Sequence, residues 1–377
     1  MRLVAFLAAV VAACAADFPT GQIIDDVKCI AEPSQSYALY LPSKYSPDKP
    51  WSVVFAFDPG ARGHLAVSRF QEAAEAYGYI VAGSNNSRNG SWDSSLAAVR
   101  AVPADLDGRF AIDKKRLYTA GFSGGARVAM QVALSSGKIA GVVACSAGFP
   151  VAKHKEVPFV IFGTAGTDDF NYQELLQLDR IVTTPHRVVI FEGGHDWLSS
   201  KLAREALEWM ELQAMKAGLR PRDDVFIERI FGARVAEAVA TTNDLDAWRA
   251  LRSIAADFEG LKDVAEFAGR AAGLQHQKTY KDAVRKERDG ELREERMTEQ
   301  VATLENDLEN PAKREASLTE LRDLLHDISR RANAKDDSPE RRLHRRILYG
   351  TFVRSFEQVK DRQYQKLLDD LRKSGHR

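Results

Sequence analysis

The run Leu117-Tyr118-Thr119-Ala120-Gly121-Phe122-Ser123-Gly124-Gly125-Ala126 constrains the fold more than any other stretch of this chain. Leu117 to Ala120 is short, apolar and β-favouring, Ala126 to Ala133 reads as a helix, and Gly121 to Gly125 must join the two. A turn that sharp presses the strand end against the helix start. A Cβ at either flank would clash, so glycine is called for two residues to each side of Ser123. Ser123, at the tip, is forced into a strained backbone with its Oγ exposed beside a helix N-terminus that favours developing negative charge. Taken alone, G-x-S-x-G also describes ordinary glycine-rich strand-to-helix turns, so its meaning depends on the rest of the chain.

Around this turn, near-continuous apolar strands alternate with amphipathic helices. The strands read as Tyr37–Pro42, Trp51–Phe57, Tyr79–Ala82, Leu117–Ala120, Gly141–Cys145, Phe159–Gly163 and Arg187–Phe191. Helices are expected over Ser68–Tyr77, Ser94–Phe110 with a kink at Pro103, Glu174–Val182 and Ser200–Met215; residues 17–36 read as irregular. Continuous apolar strands suit a parallel sheet covered on both faces, and the alternation predicts a doubly wound α/β sheet. Such sheets gather active groups in the turns at the carboxyl ends of their strands. Those turns carry, in order, Asp58-Pro59-Gly60-Ala61, Ser123, Asp168-Asp169 and Gly193-Gly194-His195. Serine, acid and histidine therefore follow one another, each just past a strand.

The pieces SYALYLP, VVFAFDPGARG, FAIDKKRLYTAGFSGGARVA, FGTAGTDDFNY and FEGGHDW resemble the α/β-hydrolase superfamily. They look most like its polyhydroxybutyrate-depolymerase and dienelactone-hydrolase-like esterase branch. The likeness spans residues 35–215, roughly half the chain, and is specific for the superfamily rather than for a substrate. It implies Ser123 as nucleophile and His195 as the general base that a weakly acidic hydroxyl needs. His64, His154 and His186 have plain surface or loop readings. The histidine needs an acid to fix its tautomer. Asp169 is favoured by the Gly166-x-x-Asp169 spacing, and Asp168 is the alternative. Asp196 reads as a surface residue. The oxyanion hole would combine the Gly124 N–H with one from the first turn. Relatives often carry His-Gly there; here Asp58-Pro59 stands instead, and Pro59 has no N–H, which leaves Gly60 or Ala61. Trp92 resembles a tryptophan that flanks such sites, and reads equally well as a rim aromatic.

The leader Met1-Arg2 followed by LVAFLAAVVAACAA has a charged start, a short apolar core and a small-x-small end, the pattern of a signal peptide over residues 1–16. Val11-Ala12-Ala13-Cys14 also resembles a bacterial lipobox, which would make Cys14 a lipid anchor. Export to the periplasm or the exterior is expected on either reading. Cys29 and Cys145 could pair in an oxidising compartment, although a buried free thiol is the commoner state for the apolar setting of Cys145. Lys plus Arg equals Asp plus Glu at 53 each, which argues against nucleic acid as the main partner. No metal-type Cys spacing or HExxH is present, and no cofactor or metal is expected.

Beyond about Gly218 the composition turns charged and helical. The expected organisation is an α/β-hydrolase domain over 17–217 and an all-α domain over 218–377. Helices should run from Pro221 to about Ala240, from the Thr242-Asn243-Asp244 cap, over Lys278–Glu309, and from Pro311 and Ser338-Pro339. A tetratricopeptide-like array is one form for this segment, but no clean period of about 34 residues stands out; an irregular bundle is the plainer one. Its interleaved acids and bases suit a solvated face or a surface for a protein partner. The leading functional expectation is an exported serine hydrolase acting on a small or polymeric carboxylic ester. A serine peptidase and a non-catalytic scaffold whose helices bind a protein are the alternatives.

Overall fold

The computed structural model describes residues 18–150 and 154–374. The expected signal peptide and Cys14 lie outside them. Eight strands form one sheet: β1 (Ile23–Lys28), β2 (Ser36–Tyr40), β3 (Trp51–Phe57), β4 (Tyr79–Ser84), β5 (Ile112–Phe122), β6 (Gly141–Cys145), β7 (Val160–Gly166) and β8 (His186–Phe191). Their order is β1-β2-β4-β3-β5-β6-β7-β8. β1 and β2 run antiparallel to their neighbours, and every other pairing is parallel. This is an α/β-hydrolase-type doubly wound, mostly parallel sheet.

Alternation along the strands explains why the apolar runs are continuous. Val53, Phe55 and Phe57 of β3 enter one core with α2 (Trp92–Arg109), α3 (Gly124–Ser136) and α4 (Tyr172–Ile181). Val54 and Ala56 enter the other, with α1 (Gly63–Tyr77) and α5 (Ser200–Lys216). Both faces of the strand are thus removed from water, so neither can be polar. β1 was not legible because it is an edge strand. Of its six residues only Val27 is buried, and Asp25 and Asp26 face solvent, as an edge requires. Pro103 sits inside α2 without ending it.

Beyond α5, seven helices occur among the described residues: α6 (Asp224–Ala240), α7 (Asp244–Phe258), α8 (Ala265–Leu274), α9 (Lys278–Asp307), α10 (Arg314–Ala332), α11 (Pro339–Gln358) and α12 (Arg362–Ser374). α8 and α12 were not anticipated. Asn243 caps α7 through the Asp246 N–H, and Ser338 caps α11 with Pro339 in its first turn. Pro311 does not start α10; Ala312 and Lys313 intervene before Arg314. The lengths, from 10 to 30 residues, follow no period. α6–α8 share a core with Leu212 and Met215 of α5, and α9–α12 form a separate one. No described helix is long and apolar enough to cross a membrane.

Candidate active site

The turn after β5 has the geometry its glycines demand. Ser123 holds φ 53°, ψ −120°, a region that non-glycine residues occupy only when their surroundings compel it. A Cβ on Gly121 would meet the Gly125 carbonyl, and one on Gly125 the Phe57 carbonyl of β3. The Ser123 N–H is tied to the Cys145 carbonyl of β6 at 2.8 Å, so the strain is held from two neighbouring strands. The Ser123 side chain makes no capping bond to α3, which leaves its hydroxyl free for chemistry.

The acid loop after β7 and the histidine loop after β8 are built together. Gly166 approaches the carbonyls of Gly193 and Gly194 so closely that any side chain there would collide. The Asp168 N–H donates to the Gly193 carbonyl at 2.8 Å. Asp169 is fully buried. Its Oδ1 lies 2.8 Å from His195 Nδ1 and takes the Asn171 N–H at 2.8 Å. Facing a carboxylate oxygen that only accepts, a neutral imidazole donates from Nδ1 and keeps its lone pair on Nε2. The imidazole is clasped between two rings: Phe170 stacks on it at 4.0 Å, and Phe122, the residue before Ser123, lies at 4.7 Å. Asp169 and His195 are therefore paired beside the Ser123 turn.

Asp168 does not join them. Its side chain points away and meets Arg345 of α11 at 2.7 Å. The remaining histidines are elsewhere: His64 pairs with Asp25, His154 lies against Phe149, and His186 bonds around Thr184 and Asp179. Asp196 is mostly exposed. Trp92 is 43% exposed at the start of α2. No hydrogen bond or ring contact joins it to Ser123, Asp169 or His195 among the described residues.

Asp58 organises the first turn and leaves little of it free. The Gly60 N–H donates to Asp58 Oδ1 at 2.8 Å, and the Ala61 N–H to the Asp58 carbonyl at 3.1 Å. Both N–H groups expected to face an oxyanion are thus already engaged, because Asp58 folds the turn upon itself. Asp58 also takes both arms of Arg62, and at 2.7 Å the indole N–H of Trp197, two residues past His195. Burial alone would raise its pKa. The Arg62, Trp197 and Gly60 donors outweigh that and hold the carboxyl below its ordinary range.

Two residues were missed by sequence reasoning. A Cβ on Gly124 would fall on the Asn89 carboxamide, so that side chain lies directly against the residue following Ser123. The Asn89 N–H is anchored to the Pro59 carbonyl at 2.9 Å. Ser146, at φ 59°, links both loops. Its Oγ donates to the Asp196 carbonyl at 3.1 Å, and its own carbonyl accepts from Asn171 Nδ2 at 2.7 Å. Neither residue belongs to a catalytic motif; only the fold brings them to the site.

Cys29 and Cys145 are free, buried thiols. Burial pushes Cys29 up to about 11 and Cys145 to about 12, so neither is a nucleophile at neutral pH. No cluster of potential metal ligands occurs among the described residues.

No family model and no curated protein matches the chain. Among solved structures it is similar to a thermostable esterase, with 19% identity over 49% of this chain and 61% of that one and a TM-score of 0.39. It is similar to an arylesterase, with 14% identity over 52% of this chain and 85% of that one and a TM-score of 0.40. It is also similar to an S-formylglutathione hydrolase from Agrobacterium tumefaciens, with 14% identity over 50% of this chain and 93% of that one and a TM-score of 0.40.

Proposed function

We propose that the protein is an exported serine hydrolase of carboxylic esters, of the polyhydroxybutyrate-depolymerase and dienelactone-hydrolase-like kind, using Ser123, His195 and Asp169. The observation carrying this reading is the strained Ser123 turn beside a histidine whose Nδ1 is bonded to a fully buried carboxylate. The signal-peptide pattern of residues 1–16 supports export.

In the first half-reaction Ser123 Oγ attacks the ester carbonyl carbon while its proton passes to His195 Nε2. Asp169 stabilises the imidazolium. The tetrahedral intermediate collapses, the bond to the alcohol oxygen breaks, and that oxygen takes the proton from His195. In the second half-reaction water gives its proton to His195 and attacks the acyl carbon. The bond to Oγ breaks, the proton returns to the serine, and the carboxylic acid leaves.

The oxyanion needs at least two donors. The Gly124 N–H is one, an orphan donor at the start of α3. With Gly60 and Ala61 engaged by Asp58, the Asn89 carboxamide is the second. A half-turn about its last bond exchanges Oδ1 and Nδ2, so its N–H can face the same spot.

The reading is tested by Ser123→Ala. Hydrolysis of p-nitrophenyl acetate should fall by roughly 10³-fold or more, with the melting temperature nearly unchanged. Residual turnover close to the parent's would remove Ser123 from the mechanism.

A further inference from the structure

The acid loop is bound on its outer side by the helical segment at Thr167, Asp168 and Tyr172. Arg345 Nη1 donates to Asp168 Oδ2 at 2.7 Å. Arg346 Nη1 donates to the Thr167 carbonyl at 2.7 Å, and the same guanidinium lies 4.4 Å over the Tyr172 ring. Arg346 is itself fixed from behind. Its Nε and Nη2 bond both oxygens of Glu294 in α9 at 2.8 and 2.6 Å, with side-chain exposures of only 10% and 6%. Arg342 completes the row by donating to Glu192, in the histidine loop, at 2.9 Å.

These arginines share one face of α11 because Arg342, Arg345 and Arg346 are spaced three and four apart. Consecutive side chains of the acid loop are drawn to opposite sides: Asp168 outward to Arg345, Asp169 inward to His195. The Arg345–Asp168 and Arg346–Glu294 pairings are not the solvent-screened kind: Asp168 is 13% exposed and Glu294 6%, so each contact is charge-assisted in a partly dry setting, whereas Glu192, 73% exposed, leaves the Arg342 pairing open to water. The two loops are tied to each other by backbone bonds, and α11, held to α9 and α10 by their shared core, braces them from outside.

We infer that α11 positions the acid and histidine of the site, with Arg345 and Arg346 as positioning residues. The helical segment is then part of the working enzyme rather than an appended module. This inference rests on the serine-hydrolase reading for its catalytic consequence but not for its structural one.

The test uses the full chain carrying Arg345→Ala with Arg346→Ala, the single Arg345→Lys, and the swap Asp168→Arg with Arg345→Asp. Three quantities are read: amide hydrogen exchange over residues 166–173 and 191–196, the rate of fluorophosphonate labelling of Ser123, and the split between kcat and KM for p-nitrophenyl acetate. The double alanine variant should exchange faster at both loops, and its labelling and kcat should fall roughly tenfold or more with KM within about twofold. Arg345→Lys and the swap should recover much of each. Exchange at the level of the parent protein would overturn the inference, as would faster exchange with labelling and kcat unchanged. If the parent itself is not labelled at Ser123, the functional reading fails instead, while exchange still decides whether α11 holds the loops. A double variant that does not fold shifts the decision to Arg345→Lys and the swap, judged by the same three readings.

Discussion

The turns at the carboxyl end of the sheet and the helical segment beyond α5 use polar residues in opposite ways. In the turns, few groups are present and each has a fixed geometry: a serine at φ 53°, a fully buried aspartate, a histidine between two phenylalanines. In the helices, charges are many and most are solvated, such as Arg285 and Asp282, 3.6 Å apart and largely exposed. On the face of α11 against the acid loop, by contrast, charge is partly buried and ion-paired. Interleaved charge along a helix thus says little until one knows which face is covered.

The sharpest way to break this contrast is to exchange the roles of two adjacent residues. Asp169→Asn should lower kcat/KM by roughly 10⁴-fold, because the carboxamide's NH2 can face His195 and favour the wrong tautomer while the negative charge is lost. Asp168→Asn should cost no more than about tenfold, through loosened positioning. Comparable losses in the two variants would mean that the loop does not separate an inner from an outer aspartate. Next in size, Asn89→Ala should lower kcat by about 10²-fold, equivalent to about 3 kcal/mol of transition-state stabilisation, with KM little changed. Full activity in that variant would return the second donor to the backbone of the first turn.

The alternation of buried strands and helices and the Ser123, His195 and Asp168–Asp169 positions were readable because each rests on a local demand. Buried strands must be apolar, a sharp turn must carry glycine, and a catalytic group must sit past a strand end. β1 was not readable, because an edge strand with one buried residue has no apolar signature. The two candidate aspartates could be ranked by spacing but not separated, since their difference lies in what faces them from α11, more than 170 residues away. Gly60 and Ala61 were sound expectations for a free N–H until the Asp58 side chain and carbonyl occupied both. Asn89 could not be found at all, because its nearness to Gly124 exists only after the chain folds.

Smaller effects sharpen the comparison further. The Asp58 carboxyl is held below the ordinary aspartate range by its Arg62, Trp197 and Gly60 donors, so its contribution to stability is present above the unfolded-state pKa and lost as pH falls through the lower folded one. Acid unfolding below about pH 4 should therefore be less steep in Asp58→Asn than in the parent, read by circular dichroism across a pH series. An unchanged slope would remove Asp58 as the organiser of the first turn. The smallest effect belongs to the solvated helices. Arg285→Ala should change stability by no more than about 0.5 kcal/mol and leave kcat unaltered. A loss resembling that of the α11 variants would erase the distinction between covered and solvated charge.

The central claim is that Ser123 is an activated nucleophile made so by His195 and Asp169. It is tested most directly by treating the purified protein with a fluorophosphonate at neutral pH and mapping the adduct by peptide mass spectrometry. The account predicts a single stoichiometric adduct on Ser123, strongly slowed in His195→Ala. Absence of an adduct on the folded protein, or one formed equally fast without His195, would contradict it.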